Sequence, residues 1–242
     1  MTTETHELII SGIRVSVVRK RIKNLHLGVY PPDGRVRVAV PLTVSDAAVR
    51  VAVIGKLRWL RRQQAAFHAQ ERQSEREMIS GESHYYLGRR YRMTLVPTDG
   101  PSSVTVRSRN TLELRARPGL TAEQRERVLS RWYRERLREL AAPLIAKWEG
   151  ELGVTVDAWG IKRMKTRWGT CNPKARRIWL NLELVKKPPE CLEYLVVHEL
   201  VHLLVRHHDE QFVALMDQHL PKWRVSRKIL NAAPLAHEVW EY

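Results

Sequence analysis

The apolar positions of this chain change their period along its length, and each change predicts an element. β-Branched and aliphatic residues fill residues 8–18 and predict a strand. Residues 25–30 and 35–40 predict two more, joined by Pro31-Pro32-Asp33-Gly34, which is turn chemistry. Ser45 is a candidate N-cap, with Val49, Val53, Leu57 and Leu60 following at helical spacing. That helix is expected to run through Trp59, turn polar over residues 63–77 and end at Ser80-Gly81. Strand character returns over residues 85–96, and residues 104–107 and 112–115 predict a hairpin with Asn110 in its turn. Thr121 and Gln124 have capping-box spacing, so a second long helix is expected towards Leu152. Val128, Trp132, Leu137 and Leu140 would face inward, and Pro143 would bend or interrupt the helix. Its Arg–Glu neighbours predict a solvated face laced with ion pairs.

The last third is organised differently. Residues 154–164 are strand-like, and the run from Thr166 through Arg167-Trp-Gly-Thr-Cys171 follows them. Asn172-Pro173 marks a turn. Ile178, Leu180, Leu182 and Leu184 alternate with Trp179, Asn181 and Glu183, which predicts one half-buried strand. Pro188-Pro189-Glu190 opens a helix, with proline in the first turn where its missing N–H costs least. Residues 223–230 predict a final helix after Pro221. No internal repeat, low-complexity tract or long linker is legible.

The helix after Pro189 is apolar on nearly all sides, so it is a buried helix. Two histidines and a glutamate there are costly unless paired or ligating. His198 and His202 are four residues apart and project from one helix face, where both can grip one metal ion. Glu199 can reach a metal-bound water without being a ligand. Chance alone gives this H-E-x-x-H pattern roughly 3% of the time in such a composition. A continuing helix would carry His208 about 600° round from His202. The helix is therefore expected to end near residues 205–206, with His207 in the turn and Asp209 capping a next helix through Phe212, Val213, Leu215 and Met216. His208 is then the third ligand, His207 the runner-up and Asp209 a weaker option. Glu238 seats too remotely in the sequence to serve. Three protein ligands leave one position open, the pattern of a catalytic zinc. Manganese, cobalt or nickel could also occupy such a site.

Composition changes this picture only in part. The chain has 242 residues and a net charge of +16, with 31 Arg and 11 Lys. That balance first suggests a nucleic-acid binder. Yet residues 151–242 carry a net of only +3 and residues 1–150 carry +13. The charge sits mostly away from the candidate chemistry. Two cysteines, Cys171 and Cys191, cannot build a disulfide framework or a four-cysteine zinc site, and a reducing cytoplasm is the default expectation. No membrane span and no secretory signal are expected. The oligomeric state is not legible.

The segments Arg167-Trp-Gly-Thr-Cys171, Ile178-Trp-Leu-Asn181, Pro188-Pro-Glu190, Tyr194 to His202, and His208 followed by Phe212 resemble the YgjP-like metallopeptidases, relatives of the SprT-like zinc proteases. Arg19-Lys-Arg21, the Trp59 helix and Leu87-Gly-Arg89 are similar to that family's N-terminal portion. The resemblance implies a zinc-dependent metallohydrolase of α+β fold. It implies His198, His202 and His208 as ligands of one catalytic Zn2+, and Glu199 as the base. The family's usual Asn-His-Ser is His207-His208-Asp209 here, and its usual RWGSC is RWGTC. Ser and Asp both cap helices, so the physical role survives.

A β-rich basic portion over residues 1–120, with one long helix, and a zincin-like domain over 121–242 are expected. Arg167, Trp168 and Gly169 are candidate substrate-binding residues if their hairpin runs beside the metal helix, since its edge could add a peptide strand. The bland alternative is that Trp168 packs, Gly169 permits close approach and Cys171 is a small core residue. Arg224 is a basic group that could stabilise an oxyanion. A peptide or protein substrate is the leading expectation. A nucleotide or other phosphate ester is the second, since related proteins sometimes carry a nucleoside-triphosphate pyrophosphatase label and arginines can hold phosphates. A nucleic-acid-associated protease guided by the basic N-terminal region is the third.

Overall fold

The computed structural model describes residues 4–30, 34–69, 77–164 and 167–232. The Pro31–Asp33 part of the first expected turn, residues 70–76 of the expected polar stretch, Thr166 and Glu238 lie outside them. The architecture is α+β, as expected, and packs as two compact units. One holds Met1–Gln73 with His237–Tyr242, the other Ser74–Ala236. Buried residues from Met78 to Leu230 share one apolar core.

In the first unit, β1 (Glu4–Ile10) and β2 (Ile13–Lys20) replace the single strand expected over 8–18. Ser11 and Gly12 both have positive φ and reverse the chain between them. β3 (His26–Tyr30) and β4 (Arg35–Pro41) complete a sheet of order β1-β2-β4-β3, in which β2 and β4 are parallel. The expected helix is split into α1 (Asp46–Gly55) and α2 (Leu57–Ala69) at Gly55-Lys56. Ser45 caps α1 by accepting from the Ala48 N–H. Val49, Val53 and Leu60 are fully buried against the valines of β2 and β4. Arg19 binds Asp46 at 2.6 Å and the Val44 carbonyl, so this basic residue pins β2 to the start of α1.

The second unit opens with the same plan. β5 (Ser83–Tyr86) and β6 (Arg89–Pro97) form a hairpin whose Leu87 and Gly88 both have positive φ. β7 (Ser103–Val106) and β8 (Thr111–Ala116) form a second. The order β5-β6-β8-β7, with β6 and β8 parallel, repeats the topology of the first sheet. The residues show no such repeat, because the two copies keep only the alternation and the turn geometry.

α3 (Ala122–Leu152) starts at the expected capping box, with Gln124 N–H donating to Thr121 and Thr121 N–H to Gln124. It runs through Pro143 without interruption. Pro143 and Glu139 both lie on the exposed side, so the carbonyl that loses its donor faces water. The buried stripe is Leu129, Tyr133, Leu137, Ala141, Ile145, Trp148 and Leu152. Val128, Trp132 and Leu140 are only partly buried, one position off that stripe. Ion pairs such as Glu123–Arg127 do lace its outer face. Arg134, however, donates to the Ile161 carbonyl and Arg163 reaches Glu126 and Ser130, which ties the helix to the next strand.

β9 (Ala158–Lys162), β10 (Gly169–Asn172) and β11 (Arg177–Asn181) form the last sheet, of order β10-β11-β9. The strand expected to continue through Leu184 ends at Asn181, whose side chain accepts from the Glu183 N–H and starts a short 3-10 helix, Leu182–Lys186. α4 (Pro189–Val201) follows, then α5 (Glu210–His219) and α6 (Trp223–Ala232). No helix among the described residues is long and apolar enough to cross a membrane.

Candidate metal centre

α4 carries Cys191, Leu192, Leu195, Val196, Val197, Leu200 and Val201 in the core, which fixes its rotation. His198 and His202 are thereby held on one side, four residues apart. The helix ends at Val201, several residues earlier than expected, and His202 itself is the C-terminal cap. The turn over Leu203 to Val205 closes on the Leu200 and Val201 carbonyls. Asp209 then caps α5 as expected, its carboxylate accepting from the Phe212 N–H at 3.1 Å. This reversal brings His208 back to α4.

Ring nitrogens of His198, His202 and His208 lie within 4.8 Å of one another, and no other such cluster of His, Cys, Asp and Glu occurs among the described residues. The Nε2 atoms of His198 and His208 are 3.1 Å apart. Two nitrogens on one tetrahedral zinc, at about 2.0–2.1 Å each, stand about 3.3 Å apart. His202 Nδ1 is 3.1 Å from the Val205 carbonyl. A carbonyl can only accept, so Nδ1 carries the proton and Nε2 keeps its lone pair for the centre. The donor set therefore fits a borderline-soft divalent ion. His207, the runner-up, is exposed and outside the cluster, as is Asp209.

Burial and the neighbouring rings push His198 down to about 3, and push His202 and His208 down as well, chiefly through burial. The three imidazoles stay neutral at pH 7, the state that ligates. Glu199 is 4% exposed, and burial raises its carboxyl to about 8, with Arg167 opposing.

Gly169 is pressed against that carboxylate. A Cβ placed there would stand 2.5 Å from Glu199 Oε1. The predicted hairpin thus runs beside the metal helix, and β10 is its edge strand. Arg167 acts electrostatically on Glu199, and Trp168 is half-buried with Lys187 5.5 Å over its ring. Cys171 also lies near Glu199, and burial raises its thiol to about 11, which disfavours the thiolate a nucleophile needs. Arg224 is bound by both oxygens of Asp217 and is engaged there.

Two residues not assigned a site role from the sequence hold this arrangement. Phe212 is 2% exposed, and its ring touches all three imidazoles, with centroids 4.7–5.0 Å away. Phe212→Ala should cost about 3–5 kcal/mol, read by denaturant unfolding, and should weaken metal binding through looser rings. Asn181 is fully buried. It donates to the Met164 and Arg167 carbonyls and accepts from the Met164 and Glu183 N–H groups, which secures the segment leading to Gly169. The Asx alternation in a strand pattern hides such a role.

The buried Glu199 sets a pH dependence for the chelated protein. Its carboxyl, near 4.5 when unfolded, is raised to about 8 in the fold. The folded state binds the extra proton, so this stabilising contribution is full below about 4.5 and is lost as pH rises through 8. Without metal, Glu199→Gln should melt progressively higher than wild type from pH 5 to pH 9. A gap that stays constant over that range would contradict the raised carboxyl.

The fold and the three-histidine cluster define an α+β protein with a candidate divalent-metal centre. The chain belongs to the YgjP-like family, whose metallopeptidase-domain model matches residues 23–233. No curated protein matches it. Among solved structures, it is similar to the crystal structure of the metallopeptidase zymogen of Pyrococcus abyssi abylysin. The two are 21% identical, with 38% of this chain and 89% of that chain covered and a TM-score of 0.34. At that score the likeness carries no functional weight.

Proposed function

We propose that this protein is a zinc-dependent peptidase, with His198, His202 and His208 as ligands and Glu199 as general base. The observation that carries the reading is the joint one: three neutral imidazoles converge, and the buried carboxylate beside them lies against the edge strand β10. A bound zinc ion would lower the pKa of a coordinated water and polarise the scissile carbonyl. Glu199 takes the proton and passes it to the leaving amine. The glycine at position 169 lets the substrate-side backbone approach that carboxylate. The outer side of β10 offers main-chain groups to an extended peptide, with Arg167 and Trp168 just before it.

The phosphate-ester alternative finds less support, since no carboxylate cluster suited to magnesium occurs among the described residues. Nucleic-acid guidance rests on the net positive charge of residues 1–150 alone. Two free cysteines suit a reducing compartment. The test is elemental analysis of the purified protein with a peptide-library digest, with and without chelator. Stoichiometric zinc and chelator-sensitive cleavage support the reading. Hydrolysis of nucleoside triphosphates alone would replace it.

A further inference from the structure

Two exposed arginines flank the centre from different elements. Arg167 lies two residues before Gly169, where a Cβ would stand 2.5 Å from Glu199 Oε1, and its charge acts on Glu199. Its backbone is anchored, because the buried Asn181 side chain donates to its carbonyl at 2.8 Å. Arg227 stands on α6, and its charge acts on His198, His208 and Tyr194. Its guanidinium is 5.6 Å from the Trp223 ring centre. Trp223 is itself stacked on Tyr194, at 6.1 Å and 11°. Tyr194 in turn meets the His198 ring edge-on at 5.7 Å. Both guanidinium groups are thus solvent-facing heads on anchored roots. Arg224, the basic group singled out in the sequence, is occupied by Asp217.

A mouth charged this way favours an anionic group on what enters it. Guanidinium forks match carboxylates in planar, bidentate geometry. We infer that Arg167 and Arg227 select peptides that carry an acidic side chain close to the scissile bond. The inference rests on the peptidase reading above and adds the substrate class. Because both heads are exposed, each contact is modest and salt-sensitive, about fivefold in affinity per arginine.

The test separates binding from turnover. Fluorescein-labelled peptides of one sequence, with Asp and Glu or with Asn and Gln around the cleaved bond, are titrated by polarisation against zinc-loaded Glu199→Gln protein. The acidic peptide should bind roughly 25-fold tighter at low salt. Arg227→Gln added to that protein should cut the preference about fivefold, and Arg227→Lys should retain part of it. Arg167→Gln should act likewise, and both effects should shrink in high salt. Melting temperatures of the variants should match the parent, which separates substrate contact from a structural role. Equal binding of both peptides, with cleavage still seen in wild type, would overturn this inference and leave the peptidase reading standing. A preference that both arginine variants leave intact would overturn it too. If no peptide binds or is cut, and a nucleoside triphosphate binds instead, both readings fall together.

Discussion

Glu199→Gln should lower kcat by about 10²- to 10⁴-fold while the protein keeps its metal. Gln is nearly the same size as Glu, so the packing against Gly169 survives and no ligand is lost. What goes is the group that can accept a proton. The carboxylate is suited to that task by its position: it is 4% exposed and sits beside His198 on a helix rotated by its own core residues. Burial lifts it to about 8 even with the charge of Arg167 opposing. Steady-state cleavage of a peptide substrate, with zinc content measured on the same sample, checks the prediction. Full activity in the variant would remove Glu199 as the base.

His208→Ala should abolish stoichiometric metal binding and with it the stabilisation that metal confers. A ligand at 1,000 times its Kd stabilises by about 4 kcal/mol. For a unit of this size that is a melting shift of about 8–16 °C between loaded and chelated protein. In His208→Ala the shift should vanish. In His207→Ala it should persist, because His207 is exposed and outside the cluster. Calorimetry with and without chelator, on both variants, reads the difference. The reverse pattern would exchange the two histidines as ligand.

This pair of histidines marks how far residue spacing reached. His198 and His202 share a helix face by spacing alone, and Asp209 announced the next helix through its capping chemistry. Those are local rules, set by 3.6 residues per turn and by unsatisfied N–H groups. The choice of His208 over His207 depended on where the chain turned. The helix stopped at Val201, sooner than the apolar run implied, because Leu203 to Val205 close back on its last carbonyls. Elsewhere the same limit shows at turns. Ser11-Gly12 and Leu87-Gly88 each split an apparently single strand, because a two-residue turn at positive φ leaves the apolar alternation nearly unbroken. Pro143 shows the opposite case, a local breaker overruled by a long helix whose one side faces water and whose other side is held by packing.

Residue spacing alone put two imidazoles and a carboxylate on one buried helix and a third imidazole after a turn, in an α+β setting. It did so because those relations span few residues, and helix geometry converts spacing directly into direction. What surrounds the carboxylate and the rings came from packing between distant segments. Gly169 against Glu199 and Phe212 wedged on three histidines join residues far apart in the chain. No periodicity encodes such meetings, since they arise from which faces bury against one another when the whole core packs.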